Sequence, residues 1–343
     1  MAKKITDSYG HGVQQVGYEK VGKKRLFTDP DADIARKHFH TKSRRMINKT
    51  TTLKEAVGKF VHNGCYFAAG GFGSNRIPVA VLHEIVRQKK KNLGFAAQGS
   101  THDLQILLAG QCINRCDTVY SEGLKSGGIS TVYRNKYKKN EIETTEWSNA
   151  TLAWRFKAAA MGLSFLPARS LLGTDIINHS AAVEIPCPFT GKKYAALPAL
   201  YPDVAAIHVH RSDIYGNCHI MGIAVSDLDL ARAAKKLIIT AEKIIHNDEI
   251  RQSPDSTAIP YYLVDAVIEV PYGAYPSNMP YKYFTDEDHL MDWMKTEQNE
   301  DDYKRFIDKN IYNCANHWDY LNINGGLEHL NNLRALETLT DRR

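Results

Sequence analysis

The residues best suited to chemistry form a glycine-rich segment, GGFGSNRIP, at positions 70–78. It stands between a short apolar run, CYFAAGG, and PVAVLHEIVRQKKK, whose apolar spacing predicts a helix opened by proline. Glycines let the backbone turn tightly and let a ligand approach its amides, and the following helix N-terminus favours an anionic group. Arg76 adds a fixed cation suited to a carboxylate. The pattern predicts an anion-binding loop, and a tight turn without a ligand is the alternative.

Two common nucleotide-binding motifs do not fit this segment. A P-loop is excluded because no Gly-Lys-Ser/Thr follows the glycines. The dinucleotide-binding pattern GxGxxG is excluded because Arg76 occupies the place of its last glycine. The ligand is therefore not expected to be a nucleotide held in either of these ways.

Four residues raise the question of a metal site. His208 and His210 alternate along one predicted strand and so share a face, and Cys218 and His219 follow about ten residues later. Histidines on buried strands are commonly satisfied by hydrogen bonds, and a third ligand would depend on folding that the spacing does not define. We therefore expect no bound metal.

The elements that carry these residues alternate between strands and helices. The glycine loop and its helix are followed by the predicted strand NLGFAAQGS, the helix LQILLAGQ and the strand CDTVYSEG, and the alternation returns from ALYPDVAAIHVHRSD to YYLVDAVIEVP. This predicts an α/β fold with an open, mostly parallel sheet and helices on both faces. Helices are expected after about Asp286. Ligands bind beyond the carboxyl ends of such strands, so the loops there are the candidate site.

The chain divides into an extension and a globular body. Residues 1–50 show no sustained period and are expected to wrap on the surface or be partly mobile, and residues 51–330 form one domain. The body should begin with a helix capped by the hydroxyls of residues 50–52 and stopped by Asn63-Gly64.

The net charge of +6 is concentrated in the extension. Residues 1–50 hold 12 Lys/Arg against 5 Asp/Glu, a balance of +7 that leaves −1 for the rest of the chain. Because acidic residues interrupt this arm and no nucleic-acid motif is present, we expect it to pack on a partner subunit rather than to bind DNA or RNA.

Composition also indicates the cellular compartment. No stretch approaches the roughly 18 apolar residues of a membrane-spanning helix, and the first residues lack the apolar core of a secretion signal. The 6 cysteines are scattered without the spacing of a disulfide scaffold or a zinc knuckle. We therefore expect a cytoplasmic protein with reduced thiols and no membrane contact.

Five blocks in order resemble the α-subunits of glutaconate-type CoA-transferases. The first is TTLKEAVGKFVHNGCYFAAGGFGSNRIPVAVLHEIVRQ, and AAAMGLSFLP, CPFTGKKYAALPALYPDVAAIHVHRSDIYGNCHIMG, AAKKLIITAEKII and VDAVIEVPYGAYPS follow it. The resemblance covers about residues 52–320. Five blocks are specific to the superfamily and less specific to one reaction.

The resemblance implies an α-type subunit that joins a β-type subunit in a heterotetramer or larger complex, with the active site between them. A glutamate of the partner would attack an acyl-CoA thioester, and CoA would pass to a carboxylic acid, dicarboxylic in the namesake enzyme. No cofactor is bound permanently, because CoA enters as substrate. The residues implied in substrate binding are Gly71, Phe72, Gly73, Ser74, Arg76, Gln98, Gly99, Ser100, Tyr120, Ser121 and Glu122.

The resemblance also predicts that this chain lacks the nucleophile. The expected position is the end of an early strand, and there the chain has Gln98, whose amide cannot attack. Tyr120-Ser121-Glu122-Gly123 offers a carboxylate and partly resembles the Ser-Glu-Asn-Gly signature of other CoA-transferases, but the Asn is missing. Glu122 is thus a minor candidate for catalysis, and a solvated or interface carboxylate is the alternative.

Two other activities share this scaffold. Ring-opening hydrolases of CoA thioesters carry a glutamate before the block LAWRFKAAA, where this chain has Ser148-Asn149, with Glu146 two residues too early. Decarboxylases of unsaturated diacyl-CoAs differ at the partner's nucleophile. A catalytically silent scaffold, whose glycine loop only docks a partner, is the alternative that is not an enzyme.

Overall fold

The computed structural model describes residues 4–6, 12–14, 17–120 and 129–338. Its strands are β1 (Lys4–Thr6), β2 (Gly12–Gln14), β3 (Tyr66–Ala69), β4 (Leu93–Ala97), β5 (Ile113–Thr118), β6 (Glu143–Glu146), β7 (Phe165–Ala168), β8 (Val183–Pro186), β9 (Lys193–Pro198), β10 (Val204–Ser212), β11 (Cys218–His219), β12 (Lys236–Ile244), β13 (Thr257–Ile259) and β14 (Ala266–Glu269).

The helices are α1 (Ala32–Thr41), α2 (Leu53–Phe60), α3 (Val79–Arg87), α4 (His102–Ala109), α5 (Thr131–Lys138), α6 (Asn149–Ala160), α7 (Ile176–His179), α8 (Asp227–Ala233), α9 (Asn247–Gln252), α10 (Glu287–Thr296), α11 (Glu300–Ile307), α12 (His317–Ile323) and α13 (Gly326–Thr338). A π-helical turn, Asp308–Tyr312, follows α11. Among the described residues, no helix has the length and apolar character needed to cross a membrane.

A seven-strand parallel sheet forms the centre of the molecule, in the order β14-β12-β10-β3-β4-β5-β6. β10 is long enough to pair with β3 through its first residues and with the antiparallel β11 through its last. The inner strands are buried on both faces because helices cover both sides, as the apolar runs predicted. The predicted open parallel sheet is confirmed. β3 and β4 end side by side, and β10 continues beyond the end of β3.

The start of the globular body follows the predicted helix cap. The hydroxyl of Thr52 accepts a hydrogen bond from the amide of Glu55 (3.2 Å), and the Glu55 carboxylate accepts one from the Thr52 amide (3.1 Å). This reciprocal pair satisfies two amides that the first turn of α2 leaves open. Gly64 then adopts φ +84°, which only glycine adopts easily, so the turn before β3 lies close to where the sequence placed it.

The N-terminal segment contains a helix that its sequence did not reveal. Asp31 caps α1 by accepting hydrogen bonds from the amides of Asp33 and Ile34, so the acidic residues that interrupt the basic arm start a helix. Leu26 and Ala35 are buried. The segment ends in backbone hydrogen bonds, from Lys49 to the carbonyl of Ile214 and from the Val267 amide to the carbonyl of Lys49.

A second, three-stranded antiparallel sheet, in the order β7-β9-β8, was not predicted. Its strands have between four and six residues, contain prolines, and are largely half-exposed or exposed. They therefore lack the continuous apolar runs by which the central strands were recognised. The helices expected after about Asp286 are present as α10–α13, and Trp293 of α10 is fully buried with its Nε1 donating to Gln105 of α4 (2.8 Å).

Candidate active site

Two loops meet where β3 and β4 end. The glycine loop follows Ala69, and residues 98–101 follow Ala97 on the neighbouring strand. The amide of Gly73 donates to the carbonyl of Gly99 (3.0 Å), and the hydroxyl of Thr101 donates to the carbonyl of Gly73 (2.8 Å). The structure thus brings together two segments that the sequence analysis selected separately, at the edge where a parallel sheet binds ligands.

The glycine loop is a tight turn that needs its glycines. Phe72 and Asn75 exchange backbone hydrogen bonds of 3.0 and 2.9 Å. Gly71 has φ +87°, and a Cβ placed on it would lie 2.4 Å from the carbonyl oxygen of Asn75. Gly73 has φ +58°, but a Cβ there would meet nothing within 4 Å. The first glycine is required by both conformation and space, and the second by conformation alone.

We expect Gly71→Ala to destabilise the protein more than Gly73→Ala does. Both variants place a side chain in the left-handed region, which costs about 1–2 kcal/mol. Only Gly71→Ala adds a clash with backbone, for about a further 1–3 kcal/mol. Urea denaturation of both variants measures the difference. Equal losses would show that the turn relaxes around the new methyl group.

Arg76 does not present the free cation that the sequence suggested. Its side chain has no exposed surface, and its Nη1 lies 2.5 Å from Oδ2 of Asp227, which is also fully buried. Nη2 donates to the carbonyl of Ile223 (2.8 Å). The guanidinium is therefore not open to a substrate carboxylate in this arrangement, because burying it requires a charged partner and Asp227 is that partner. The predicted part of Arg76 in substrate binding stays a prediction.

The segment around Asn278 forms a third wall of the site. The backbone amide of Asn278 donates to the carbonyl of Ser74, and the carbonyl of Asn278 accepts from the amide of Arg76, both at 2.9 Å. Tyr281 follows with 65% of its surface exposed. Neither Asn278 nor Asp227 was selected from the sequence, since contacts with residues about 150–200 positions away leave no local spacing signal.

The predicted binding residues Phe72, Gln98 and Ser100 lie on the two loops. Phe72 is 38% exposed and its ring packs over Gly99, where a Cβ would lie 3.0 Å from Cε2. Gln98 is only 9% exposed and donates through Nε2 to the carbonyl of Asn149 (3.3 Å). Its Oε1 is buried and has no partner among the described residues, which leaves an acceptor for a ligand donor. The hydroxyl of buried Ser100 donates to the carbonyl of Ala97 (3.2 Å).

The described acids next to these loops are engaged by the protein itself. Asp227 pairs with Arg76, and Asp103 accepts hydrogen bonds from the amides of Thr101 (2.7 Å) and Leu104 (2.8 Å). Burial raises the pKa of the Asp103 carboxyl to about 6. A buried, hydrogen-bonded carboxyl is a poor nucleophile for an incoming thioester.

The residues predicted after β5 are only partly described. Tyr120 is 54% exposed. Ser121 and Glu122 lie outside the described residues, so their predicted part in the site stays a prediction.

His208 and His210 both form hydrogen bonds within the protein. His208 is fully buried, with Nε2 2.8 Å from Oε1 of Glu242 and Nδ1 2.9 Å from the hydroxyl of Thr240. His210 lies 2.8 Å through Nε2 from the carbonyl of Pro280, its Nδ1 accepts from the amide of Met221, and burial lowers its pKa to about 4. Within the described residues, no three His, Cys, Asp or Glu side chains are grouped to hold a metal ion.

Comparison with known proteins shows which sequences the chain resembles. The family model "Coenzyme A transferase" matches residues 50–270. The chain is 30% identical to the A-type subunit of glutaconate CoA-transferase from Acidaminococcus fermentans, over 83% of this chain and 94% of that protein. It is 33% identical to the A-type subunit of 3-oxoadipate CoA-transferase from Pseudomonas knackmussii, over 76% and 92%. An uncharacterized protein of Archaeoglobus fulgidus is 47% identical over 88% of this chain and 68% of its own length.

Solved structures agree with the sequence relatives. The crystal structure of glutaconate coenzyme A-transferase from A. fermentans superposes with a TM-score of 0.80 at 30% identity, covering 83% of this chain and 95% of that chain. The decarboxylase AibA/AibB gives a TM-score of 0.69 at 26% identity, with 77% and 98% covered. The cholesterol ring-cleaving hydrolase IpdA subunit of Mycobacterium tuberculosis is 27% identical over 76% of this chain and 92% of its own length.

Proposed function

The chain belongs to the coenzyme A transferase family and is of the A type, and from this we propose that it works with a separate β-type subunit to move CoA from an acyl-CoA thioester to a carboxylic acid. The observation that carries the proposal is the glycine loop joined to residues 98–101 at the sheet edge, within a chain that matches the A-type subunit of glutaconate CoA-transferase along most of its length. The acceptor we propose is a dicarboxylic acid, because two of the relatives are named for dicarboxylic acids.

The reaction divides between the two subunits. A glutamate of the partner attacks the thioester carbonyl, the C–S bond breaks and CoA leaves as a thiolate, which gives a mixed anhydride between the acyl group and the glutamate. The thiolate then attacks the glutamyl carbonyl, which releases the first acid and gives a glutamyl-CoA thioester; the same steps in reverse with the second acid give the product. A carboxylate is charged at neutral pH and forms this reactive anhydride without a metal.

This chain contributes binding and orientation. The glycine loop allows the thioester to approach backbone amides, whose N–H groups stabilise the negative charge that develops on the carbonyl oxygen. Within the described part of the chain, the amide of Ser74 donates to no other residue and is the free amide of the turn at residues 70–76. The Gln98 carboxamide oxygen, on the neighbouring loop, supplies an acceptor without a partner among the described residues.

A second candidate function follows from the relatives that are named as a hydrolase and a decarboxylase. The hydrolase alternative needs a glutamate just before α6. Here Ser148 caps that helix by accepting from the amide of Thr151 (3.2 Å), and Glu146 ends β6. The lack of a glutamate at this position favours the transferase over the hydrolase.

We expect the isolated chain to be unable to transfer CoA, because the proposed nucleophile belongs to the partner. The chain is purified alone and also together with the product of the adjacent reading frame, and each is assayed by chromatography with a panel of acyl-CoA donors and carboxylic acids. Transfer should appear only in the assembled protein. Robust transfer by the single chain would contradict the proposed division, and free acid formed without an acceptor would favour the hydrolase.

The proposal includes a cytoplasmic location. CoA esters and free thiols belong to a reducing compartment, and the cysteines of the described residues are free.

A further inference from the structure

Asp227 joins the two ends of the glycine loop. Its Oδ1 accepts from the amide of Gly71 (2.9 Å) near the start of the loop, and its Oδ2 lies 2.5 Å from Nη1 of Arg76 at the end. The side chains of Asp227 and Arg76 have no exposed surface. A single carboxylate on α8 therefore fixes both limits of the loop.

The local backbone is built around this contact. A Cβ on Gly70 would lie 2.9 Å from Oδ1 of Asp227, so glycine at this position lets the carboxylate approach. Arg76 itself has φ +56°, a conformation that is unfavourable for a residue with a side chain. The bond from its Nη2 to the carbonyl of Ile223 (2.8 Å) and the bond from its amide to Asn278 hold it there. The strain persists because the surrounding contacts determine the conformation.

The contacts leave one amide of the turn at residues 70–76 without a protein partner. The amides of Gly71, Phe72, Gly73, Asn75 and Arg76 all donate to acceptors of the protein. Among the amides of residues 70–76, only that of Ser74 has no acceptor among the described residues. If the ends of the loop move, the position of this donor moves with them.

We propose that Arg76 and Asp227 are positioning residues, which hold the glycine loop in the geometry that the CoA thioester requires and do not bind the acid substrate. This inference rests on the proposed function and adds the device that aligns its site. The alternative is that Arg76 binds the substrate carboxylate. It would require the guanidinium to leave Asp227, and a buried carboxylate without its partner is strongly unfavourable.

The two interpretations differ in what Asp227→Asn does. We compare Arg76→Lys and Asp227→Asn in the assembled enzyme, measuring kcat, the KM of each substrate, and hydrogen exchange of peptides covering residues 70–78. Both variants should lower kcat by about 100-fold, the size of effect that a small misplacement of a reacting group produces. The KM of the acid should stay within about twofold of wild type. Exchange in the loop should accelerate in both.

The double variant and a matched control complete the test. Because the residues act as one unit, the double variant should be no more than about threefold slower than the slower single variant. Asp117→Asn, in the equally buried pair with Arg155, is the control and should leave loop exchange unchanged. If Asp227→Asn does not fold, Arg76→Lys carries the comparison because it keeps the charge.

Three outcomes would overturn the inference. One is a raised KM for the acid in Arg76→Lys with kcat unchanged, and another is Asp227→Asn with wild-type kinetics. The third is loop exchange that stays as slow as in wild type. If wild-type enzyme transfers no CoA, the proposed function fails, while the exchange measurement still decides whether Arg76 and Asp227 order the loop.

Discussion

Arg155→Met should lower the free energy of unfolding by about 3–5 kcal/mol, the usual consequence of leaving a buried charge without its partner. Arg155 and Asp117 are both fully buried, with Nη1 2.6 Å from Oδ1. The guanidinium also lies 4.1 Å from the ring centre of Trp147, and its Nε donates to the carbonyl of Pro198 (2.9 Å). Methionine fills similar space but leaves the Asp117 charge in an apolar interior.

A second substitution separates the charge from the packing. Asp117 also accepts hydrogen bonds from Nε1 of Trp147 and from the hydroxyl of Tyr66. An asparagine can still accept from Trp147 through Oδ1 and can donate through Nδ2 to the Tyr66 hydroxyl, which also donates to the carbonyl of Phe95. Arg155→Met combined with Asp117→Asn should therefore regain most of the lost stability. Arg251→Met, at an exposed pair with Asp248, is the control and should change stability by less than about 1 kcal/mol. Urea denaturation of all three variants measures this, and a loss in Arg155→Met as small as the control's would refute it.

Stability should also fall steeply between pH 6 and pH 4. A group of histidines is buried between α3, α4 and the C-terminal helices, and burial lowers the pKa of His102 to about 3 and those of His289 and His317 to about 4. Above pH 6.5 these side chains are neutral in the folded and the unfolded chain. Below it the unfolded chain takes up protons that the folded chain refuses, so each histidine removes about 1.4 kcal/mol per pH unit.

Removing one of these histidines tests the source of the pH dependence. Both ring nitrogens of His102 are buried without a partner among the described residues, and its ring packs edge-on against Trp293. His102→Leu should therefore flatten the dependence of unfolding free energy on pH between 6 and 4. His62→Leu, at an exposed position, should leave the slope unchanged. The same slope in both variants would assign the acid sensitivity to carboxylates.

Much of the fold follows from short-range patterns. The inner strands of a parallel sheet are buried on both faces, so β3, β4, β10 and β12 appear in the sequence as continuous apolar runs. Thr52 and Glu55 show the spacing of a capping box before α2. Glycines after β3 and β4 indicated the loops that the structure joins.

The remaining features depend on contacts that sequence spacing does not record. Strands β7 and β8 consist mostly of exposed and half-buried residues, β9 alternates half-buried and buried ones, and all three contain prolines, so no single pattern identifies them. Arg76 looked available for a ligand because its partner, Asp227, lies 151 positions further along the chain. Asp31 looked like one member of an acidic interruption, but it caps α1.

Covalent trapping of the intermediate shows which subunit carries the nucleophile. The assembled enzyme is incubated with acyl-CoA, the glutamyl thioester is reduced with borohydride, and the modified peptide of each subunit is identified by mass spectrometry. We expect one modified glutamate, on the partner subunit, with only a modest loss of rate in Glu122→Gln. Recovery of the modification at Glu122 would contradict the proposed division of roles and would show that this chain carries the nucleophile.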